Sequence, residues 1–473
     1  MSKEFLKGKQ VLVMGLGRFG GGVDVAKFAA DAGAKVTITD LAPAEQLSDS
    51  ISKLEKFPDI EFHLGSHDPA DFQEADIIIA NPAVAPGNAY LQLARRHGKF
   101  VTSQMSIFFE LCPARIIGIT GANGKSTTAA LTAHLLKNTS DENVWLSGNI
   151  GNEPLLTIME QIKPSDLVVL ELSSFQLEQL AEIEQAPDVA LLTNLTPNHL
   201  DRYGTFAVYC NAKENIFKFQ EQGAEHPAVS IFNAEDDIAA KWYEKYRKDT
   251  ARICLTFSAD DVSEQMRSSF TLPGRASLSN LAAAVTVARY LGADEKQVTH
   301  ALASFKPLPH RLEFIAQING VRWYNDSKAT TPRGAMVALE AFDEPRIIIA
   351  GGSDKNLAFD ELGQKIAENA KAAILIGQTA EKIAGAVRDA SHGNRNLHIR
   401  IVRSLAEAVK VAGQLAVDGD VVLLSPACAS YDMFENYEHR GREFVKLVKA
   451  LKIRMRRSKV ENKNGGVPEG RLP

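Results

Sequence analysis

Short apolar runs alternate along most of this chain with longer stretches of helical periodicity, in three successive blocks. The first block holds VLVMG (11–15), an Ala-rich helical stretch, KVTITD (35–40), DIIIA (76–80) and KFVTS (99–103). The second opens on ARIIGIT (114–120) and continues through DLVVLEL (166–172) and DVALLTN (188–194). Helical runs near 277–291 and 295–304 close it before the KPLPH turn (306–310). The third holds VRWYND (321–326), RIIIAGG (346–352), AAILIG (372–377), HIRIV (398–402) and DVVLLSPA (420–427), with a helix predicted over 436–452. Brief apolar strands spaced by amphipathic helices predict parallel sheets covered on both faces. The joints fall near 103 and 307, giving domains at 1–103, 104–307 and 308–455. A polar, Gly- and Pro-bearing stretch at 456–473 reads as a flexible, solvated tail.

Length agrees with that division, since 473 residues suggest about three domains. With 45% apolar and 23% charged residues the composition is that of a globular protein. A net charge of −5 leaves no basic footprint for nucleic acid. Cys112, Cys210, Cys254 and Cys428 are far apart, so reduced thiols fit better than a disulfide framework or a zinc site. The N-terminus reads as a first strand and not a signal peptide. No apolar run approaches the roughly 20 residues of a membrane span.

Gly15, Gly17 and Gly20 form G-x-G-x-x-G between a strand and a helix, with Asp40 at the end of the next strand. Such glycines let backbone amides approach a pyrophosphate at a helix N-terminus, while the carboxylate can accept from a sugar or base donor. By itself the motif is open to a dinucleotide, a nucleotide-sugar diphosphate or a tight turn that binds nothing. The rest of the chain favours the nucleotide sugar.

GITGANGKST (118–127) is the strongest local signal. Amides of Gly121, Asn123 and Gly124 can wrap a triphosphate, Lys125 can reach its outer phosphates, and the Ser126 hydroxyl can ligate Mg²⁺, with Thr127 following. Ile119 stands where the strict phosphate-loop pattern asks for glycine, so the loop is a variant. Glu171, near the end of the next strand, suits a magnesium carboxylate.

The runs TGANGKST (120–127), SGNIG (147–151), LELSSFQLE (170–178) and TNLTPNHLDRY (193–203), with Asn211-Ala212-Lys213, resemble the Mur ligases over nearly the whole chain outside the tail. LELSSFQLE resembles the D-glutamate-adding members in particular. Motifs and resemblance together imply an α/β fold of three domains: Rossmann-like at the N-terminus, a central parallel sheet of the phosphate-loop ATPase type, and Rossmann-like at the C-terminus. The implied activity is ATP-dependent addition of D-glutamate to UDP-N-acetylmuramoyl-L-alanine through an acyl phosphate. It would run in the cytoplasm, in a monomer, with no nucleic acid or membrane partner.

The same resemblance assigns roles. Ser126 and Glu171 match the nucleotide-side Mg²⁺; Glu171 and His199 match a second Mg²⁺ near the substrate carboxylate. Lys125 and Lys213 complete the catalytic set, with Lys213 expected as a carbamate. Asn280, Arg311 and Asp326 match ATP contacts, Asp326 at the ribose. Lys328, Thr330, Lys355, Ser430, Tyr431 and Tyr437 match the amino-acid site. Arg18, Phe19, Asp40 and Leu41 match the UDP site, and Asn149 and Ser173 lie within substrate-site runs. With the ATP loop and the amino-acid residues in different blocks, domain closure is expected.

Several positions depart from the family pattern. Asn198 stands where an aspartate is common, Ser277 where ATP-contacting relatives carry asparagine, Tyr437 where Phe is frequent, and Asn81-Pro82-Ala83 in place of S-P-G. Two other readings are weighed: a ligase of the same fold acting on another amino acid or carboxylate, and an NAD-dependent oxidoreductase or nucleotide-binding regulator using Gly15–Gly20. Ser425–Asp432 and LELSSFQLE argue against the first; Lys125 and Asp326–Thr330 go unexplained by the second.

Overall fold

The computed structural model describes residues 3–18, 20–150, 154–221, 227–391 and 397–464, with side chains as far as 453. Its backbone makes mixed α/β architecture in three sheets. β1 (Gln10–Met14), β2 (Lys35–Asp40), β3 (Glu61–Leu64), β4 (Ile77–Ala80) and β5 (Phe100–Thr102) form a five-stranded parallel sheet ordered β3-β2-β1-β4-β5. The order reverses beside β1, so the crevice at its C-terminal end lies at a topological switch point. Gly15 and Gly17 follow β1 there, and the helix Gly21–Asp31 comes next.

β6 (Arg115–Thr120), β7 (Val144–Gly148), β8 (Leu167–Glu171), β9 (Val189–Leu192), β10 (Val229–Asn233) and β11 (Ile253–Phe257) form a second parallel sheet, ordered β11-β10-β9-β6-β8-β7. β6 lies between β8 and β9, so the loop after it opens beside Glu171 on one side and the segment after Leu192 on the other. Every residue of β8 and β9 is buried. That is the expected cost-free arrangement for apolar strands covered on both faces.

These two sheets share one compact unit, which also contains Ser279–Phe305. A single apolar cluster runs from Leu6, Val11 and Phe28 to Val168, Leu170 and Phe217. Asp24, in the first turn of the helix Gly21–Asp31, ties the two parts together. Its buried carboxylate accepts five hydrogen bonds: from Gln104 Nε2 (2.7 Å), the amides of Leu155 (3.0 Å), Leu156 (2.8 Å) and Thr157 (3.0 Å), and Thr157 Oγ1 (2.8 Å).

The second unit comprises Phe270–Leu278 and the chain from Lys306. Its sheet is β12 (Glu313–Ile318), β13 (Val321–Asn325), β14 (Arg346–Ala350), β15 (Ala370–Leu375), β16 (His398–Ile401) and β17 (Val421–Leu424), ordered β12-β13-β17-β14-β15-β16. Only β12 is antiparallel, paired with β13. Alternate residues face opposite sides: Ile348, Ala350 and Leu423 enter one core, Ile347, Ile349 and Leu424 the other. β13, β17 and β14 are consecutive neighbours, so the loops after them emerge side by side.

Strands β3, β7, β10, β11 and β12 were not among those expected from sequence. The last helix also differs: it spans Tyr437–Asn464, well past 452 and into the stretch read as a tail.

Candidate active site

The chain turns sharply after β6. Gly121 has φ 149°, and a Cβ there would lie 1.9 Å from Thr193 Oγ1; Gly124 has φ 81°, and a Cβ would lie 2.1 Å from Asn280 Oδ1. Both positions therefore exclude a side chain on grounds of conformation and space. The segment after β9 pins the loop. Ala122 N donates to Asn194 O (2.8 Å) and Asn123 N to Asn194 Oδ1 (3.0 Å), while Asn194 Nδ2 and Thr193 Oγ1 both donate to Asn123 O (3.0 and 2.7 Å). Lys125 Nζ donates to the carbonyls of Gly121 and Ala122, both at 3.1 Å, so its charge lies over the loop.

Gly124 caps the helix Lys125–Thr139 in a left-handed conformation with no side-chain hydrogen bond. The first amides of that helix, with Ser126 and Thr127 in the first turn, meet no capping carboxylate or hydroxyl from that residue. This is the geometry of an anion site. Asn280 reaches the same turn, accepting from Thr128 Oγ1 at 3.3 Å.

Glu171 ends β8 next to Ile119 and Gly148. Its side chain is buried. Asn149 Nδ2 donates to Oε1 at 2.9 Å, and among the described residues Oε2 is buried without a hydrogen-bond partner. An orphaned carboxylate oxygen is costly unless a cation completes it, so these residues fit a divalent metal. Ser126 is buried on the first turn of the neighbouring helix. Among the described residues no three His, Cys, Asp or Glu side chains group closely enough to hold a metal by themselves.

Lys213, on the helix Phe206–Lys218, is buried, with Nζ 3.1 Å from Thr120 Oγ1 and 5.1 Å from the Tyr209 ring centre. Burial, reinforced by the Lys125 charge and opposed by Glu171, drives its pKa well below the ordinary lysine value. That favours the uncharged amine. His199 caps a short helix in the left-handed region (φ 52°), its ring 5.0 Å from that of Phe175. Burial first, then the Lys125 and Arg202 charges, push its pKa down against Asp201, favouring neutral imidazole. Asn198 Oδ1 accepts from His199 N at 2.9 Å, a hydrogen bond an aspartate could also accept. Ser173 and Gln176 form a capping box on the helix Ser174–Ala181, so the Ser173 hydroxyl has a structural role there.

At the N-terminal turn the Asp40 carboxylate accepts from Gly17 N (3.0 Å) and Ala42 N (2.9 Å), fixing the turn. Arg18 Nη2 donates to Gln46 Oε1 at 2.7 Å, and Leu41 is exposed. Phe19 lies outside the described residues. A cavity at this turn is lined by Gly15, Gly21, Gly22, Asn81 and Gln104.

In the second unit, His310 (φ 64°) and Leu312 (φ 41°) flank Arg311 with two left-handed residues, a conformation that L side chains adopt at a cost. Asp326, at the end of β13, is buried and accepts from Ser425 Oγ (2.7 Å) and Leu312 N (3.2 Å). Burial outweighs these bonds and the Arg311 charge, pushing its pKa up to about 7. Lys328 Nζ lies 5.3 Å from the Tyr437 ring and Lys355 Nζ 5.7 Å from that of Tyr431. Thr330 N donates to Lys328 O at 2.9 Å. Ser430 is buried and Tyr431 exposed. Arg311 lies just before β12, Asp326, Lys328, Thr330, Lys355, Ser430 and Tyr431 lie on the loops after β13, β14 and β17, and Tyr437 opens the last helix.

The structure thus gathers Gly121, Asn123, Gly124, Lys125 and Asn280 at one loop, and places Glu171 with Asn149 and Lys213 with Thr120 at adjoining strand ends. Sequence reading quoted the runs that hold Thr120 and Asn194 but gave neither residue a role; both follow the apolar runs of β6 and β9, which the structure pairs in parallel so that they flank the loop.

Three family models match in chain order: "Mur ligase MurD-like, N-terminal domain" at 9–103, "Mur ligase middle domain" at 119–271 and "Mur ligase, glutamate ligase domain" at 310–428. The chain belongs to the Mur ligase family. It is similar to the UDP-N-acetylmuramoylalanine–D-glutamate ligase of Roseiflexus sp. (strain RS-1), at 38% identity over 94% of this chain and 99% of that protein. It is likewise similar to the enzyme of that name from Clostridium botulinum (strain Langeland), at 36% over 95% and 98%. In fold it resembles the MurF ligase of Thermotoga maritima in complex with ADP, at 18% identity and a TM-score of 0.53, over 94% of this chain and 95% of that one.

Proposed function

We propose that this protein is an ATP-dependent ligase joining D-glutamate to UDP-N-acetylmuramoyl-L-alanine through an acyl phosphate, with ADP and phosphate as the other products, in peptidoglycan precursor synthesis. The observation that carries the reading is the unpartnered Glu171 oxygen beside a phosphate loop whose helix has no side-chain cap. Similarity to D-glutamate ligases along almost their whole length supports the choice of substrates.

Forming an amide from a carboxylate requires a better leaving group, and a triphosphate meeting a carboxylate repels it unless positive charge intervenes. Bound Mg²⁺ would supply that charge. Ser126 and Glu171 would hold one ion, and Glu171, His199 and Lys213 would serve a second. The loop amides and Lys125 hold and neutralise the phosphates. The uncharged Lys213 amine can add CO₂ and lose a proton, turning a neutral group into a carbamate anion able to face a metal. Lys328, Thr330, Lys355, Ser430, Tyr431 and Tyr437 would position the amino acid. Arg18, Phe19, Asp40 and Leu41 would meet the uridine diphosphate end, with Asn149 and Ser173 near the acyl end. Use of ATP and a nucleotide sugar supports a cytoplasmic reaction, and the enzyme is read as a monomer. Among the described residues no helix is long and apolar enough to cross a membrane.

The test is phosphate release from ATP, Mg²⁺ and UDP-N-acetylmuramoyl-L-alanine with D-Glu, L-Glu, L-Ala or a diamino acid offered separately. Release should depend on D-Glu. Equal release with another amino acid, or none with any, would reject the assignment.

A further inference from the structure

Arg440 sits in the first turn of the helix Tyr437–Asn464, and its side chain is 1% exposed. Both facts are unfavourable. A buried cation loses hydration, and a positive charge near a helix N-terminus opposes the helix dipole. Among the described residues no carboxylate oxygen is one of its hydrogen-bond acceptors. The guanidinium donates instead to four neutral oxygens: Nε to Ser327 Oγ (3.0 Å), Nη2 to Ser327 O (2.9 Å) and Cys428 O (3.1 Å), and Nη1 to Ala429 O (3.4 Å). Ser327 belongs to the loop after β13, and Cys428 and Ala429 to the loop after β17.

The third loop joins through a shared acceptor. Ser353, in the loop after β14, donates its amide to the same Ala429 carbonyl at 2.9 Å, and its hydroxyl accepts from Asp432 N at 2.8 Å. Gly352 allows the close approach: a Cβ there would lie 2.1 Å from Ala429 O and 3.2 Å from Arg440 Nη1. Each residue bound in this way adjoins one proposed to hold the amino acid. Ser327 precedes Lys328, Ala429 precedes Ser430, and Ser353 is two residues before Lys355.

We propose that Arg440 is a positioning residue for the incoming amino acid, its rigid fork of donors fixing the relative spacing of the three loops that carry Lys328, Lys355 and Ser430. It acts through backbone oxygens and Ser327 and does not touch the substrate. A planar fork with fixed donor directions can do this, whereas the compact lysine ammonium cannot span the same acceptors. The inference rests on the proposed assignment of these loops to D-glutamate.

The test uses the full chain with Arg440→Lys and Ser327→Ala. KM is measured separately for D-glutamate, ATP and the UDP-sugar substrate, beside the melting temperature. Arg440→Lys should raise KM for D-glutamate about tenfold or more and leave the other two unchanged. Ser327→Ala, which removes one acceptor, should shift the same constant less. If Arg440→Lys does not fold, Ser327→Ala decides. An unchanged D-glutamate KM in a folded variant, or all three constants rising together, overturns the proposal and leaves Arg440 a structural residue. Lys328→Ala and Lys355→Ala separate the two readings. If neither alters the D-glutamate KM, the loop assignment itself fails; if they raise it and the Arg440 and Ser327 variants do not, only the positioning role falls.

Discussion

Asn149 Nδ2 holds Glu171 Oε1 at 2.9 Å and leaves Oε2 of the same carboxylate buried, with no hydrogen-bond partner among the described residues. The amide therefore fixes the rotamer while one anionic oxygen stays available to a cation. Replacing Glu171 by Gln removes the anion at nearly constant volume. Turnover should fall by roughly 10²–10³, while the melting temperature holds or rises because an uncompensated buried charge is gone. Steady-state rates and thermal unfolding on the same preparation check this. A Gln variant that unfolds early and keeps its rate per folded molecule would contradict it.

Lys213→Arg keeps a long basic side chain but cannot form a carbamate. Turnover should drop by roughly 10² or more. In the unmodified protein, activity should fall in CO₂-depleted buffer and return with bicarbonate. Near-normal rates for Lys213→Arg would remove the carbamate from the mechanism.

The raised pKa of Asp326 gives a pH signature with a definite sign. Between the ordinary carboxylate value and about 7, the folded protein keeps a proton that the unfolded chain has lost. Stability contributed by this group is thus full in acid and declines as pH rises through that window, by on the order of 4 kcal/mol in total. Urea unfolding at pH 5.0, about 6 and about 8 should show Asp326→Asn with a flatter profile than the unmodified protein. Parallel profiles would show that Asp326 ionises normally.

Asp24 collects five donors from the first and second sheets' flanking segments. Asp24→Ala leaves those donors without their acceptor and should cost roughly 3 kcal/mol or more of stability. Hydrogen exchange should rise first at the amides of Leu155, Leu156 and Thr157. Exchange that rises evenly across the chain would place the defect elsewhere.

The parts legible in sequence are those where chemistry dictates residue type. Gly121 and Gly124 admit no Cβ, Lys125 must be cationic, and the β8 run LVVLE ends in a carboxylate, so these positions could be read in order along the chain. What escaped were elements whose polar residues are satisfied by distant partners. β10 contains Ser230 and Asn233, which look solvent-facing until Ser230 Oγ meets Gln220 Oε1 (2.6 Å) and Asn233 Nδ2 meets Thr193 O (2.7 Å). β3 and β12 are edge strands, half-solvated and short of apolar runs. Arg440 gave no signal because its acceptors lie as far as 113 positions away; alone, it reads as one more charge on a helix.

A helix that begins at glycine, as the one after Gly124 does, has no side chain at its cap to compete with an anion for its opening turn. Nucleotide should then act on this protein as a folding ligand as well as a reactant, raising its melting temperature in proportion to the logarithm of its concentration above the dissociation constant. A cell running short of ATP would hold an enzyme both idle and easier to unfold.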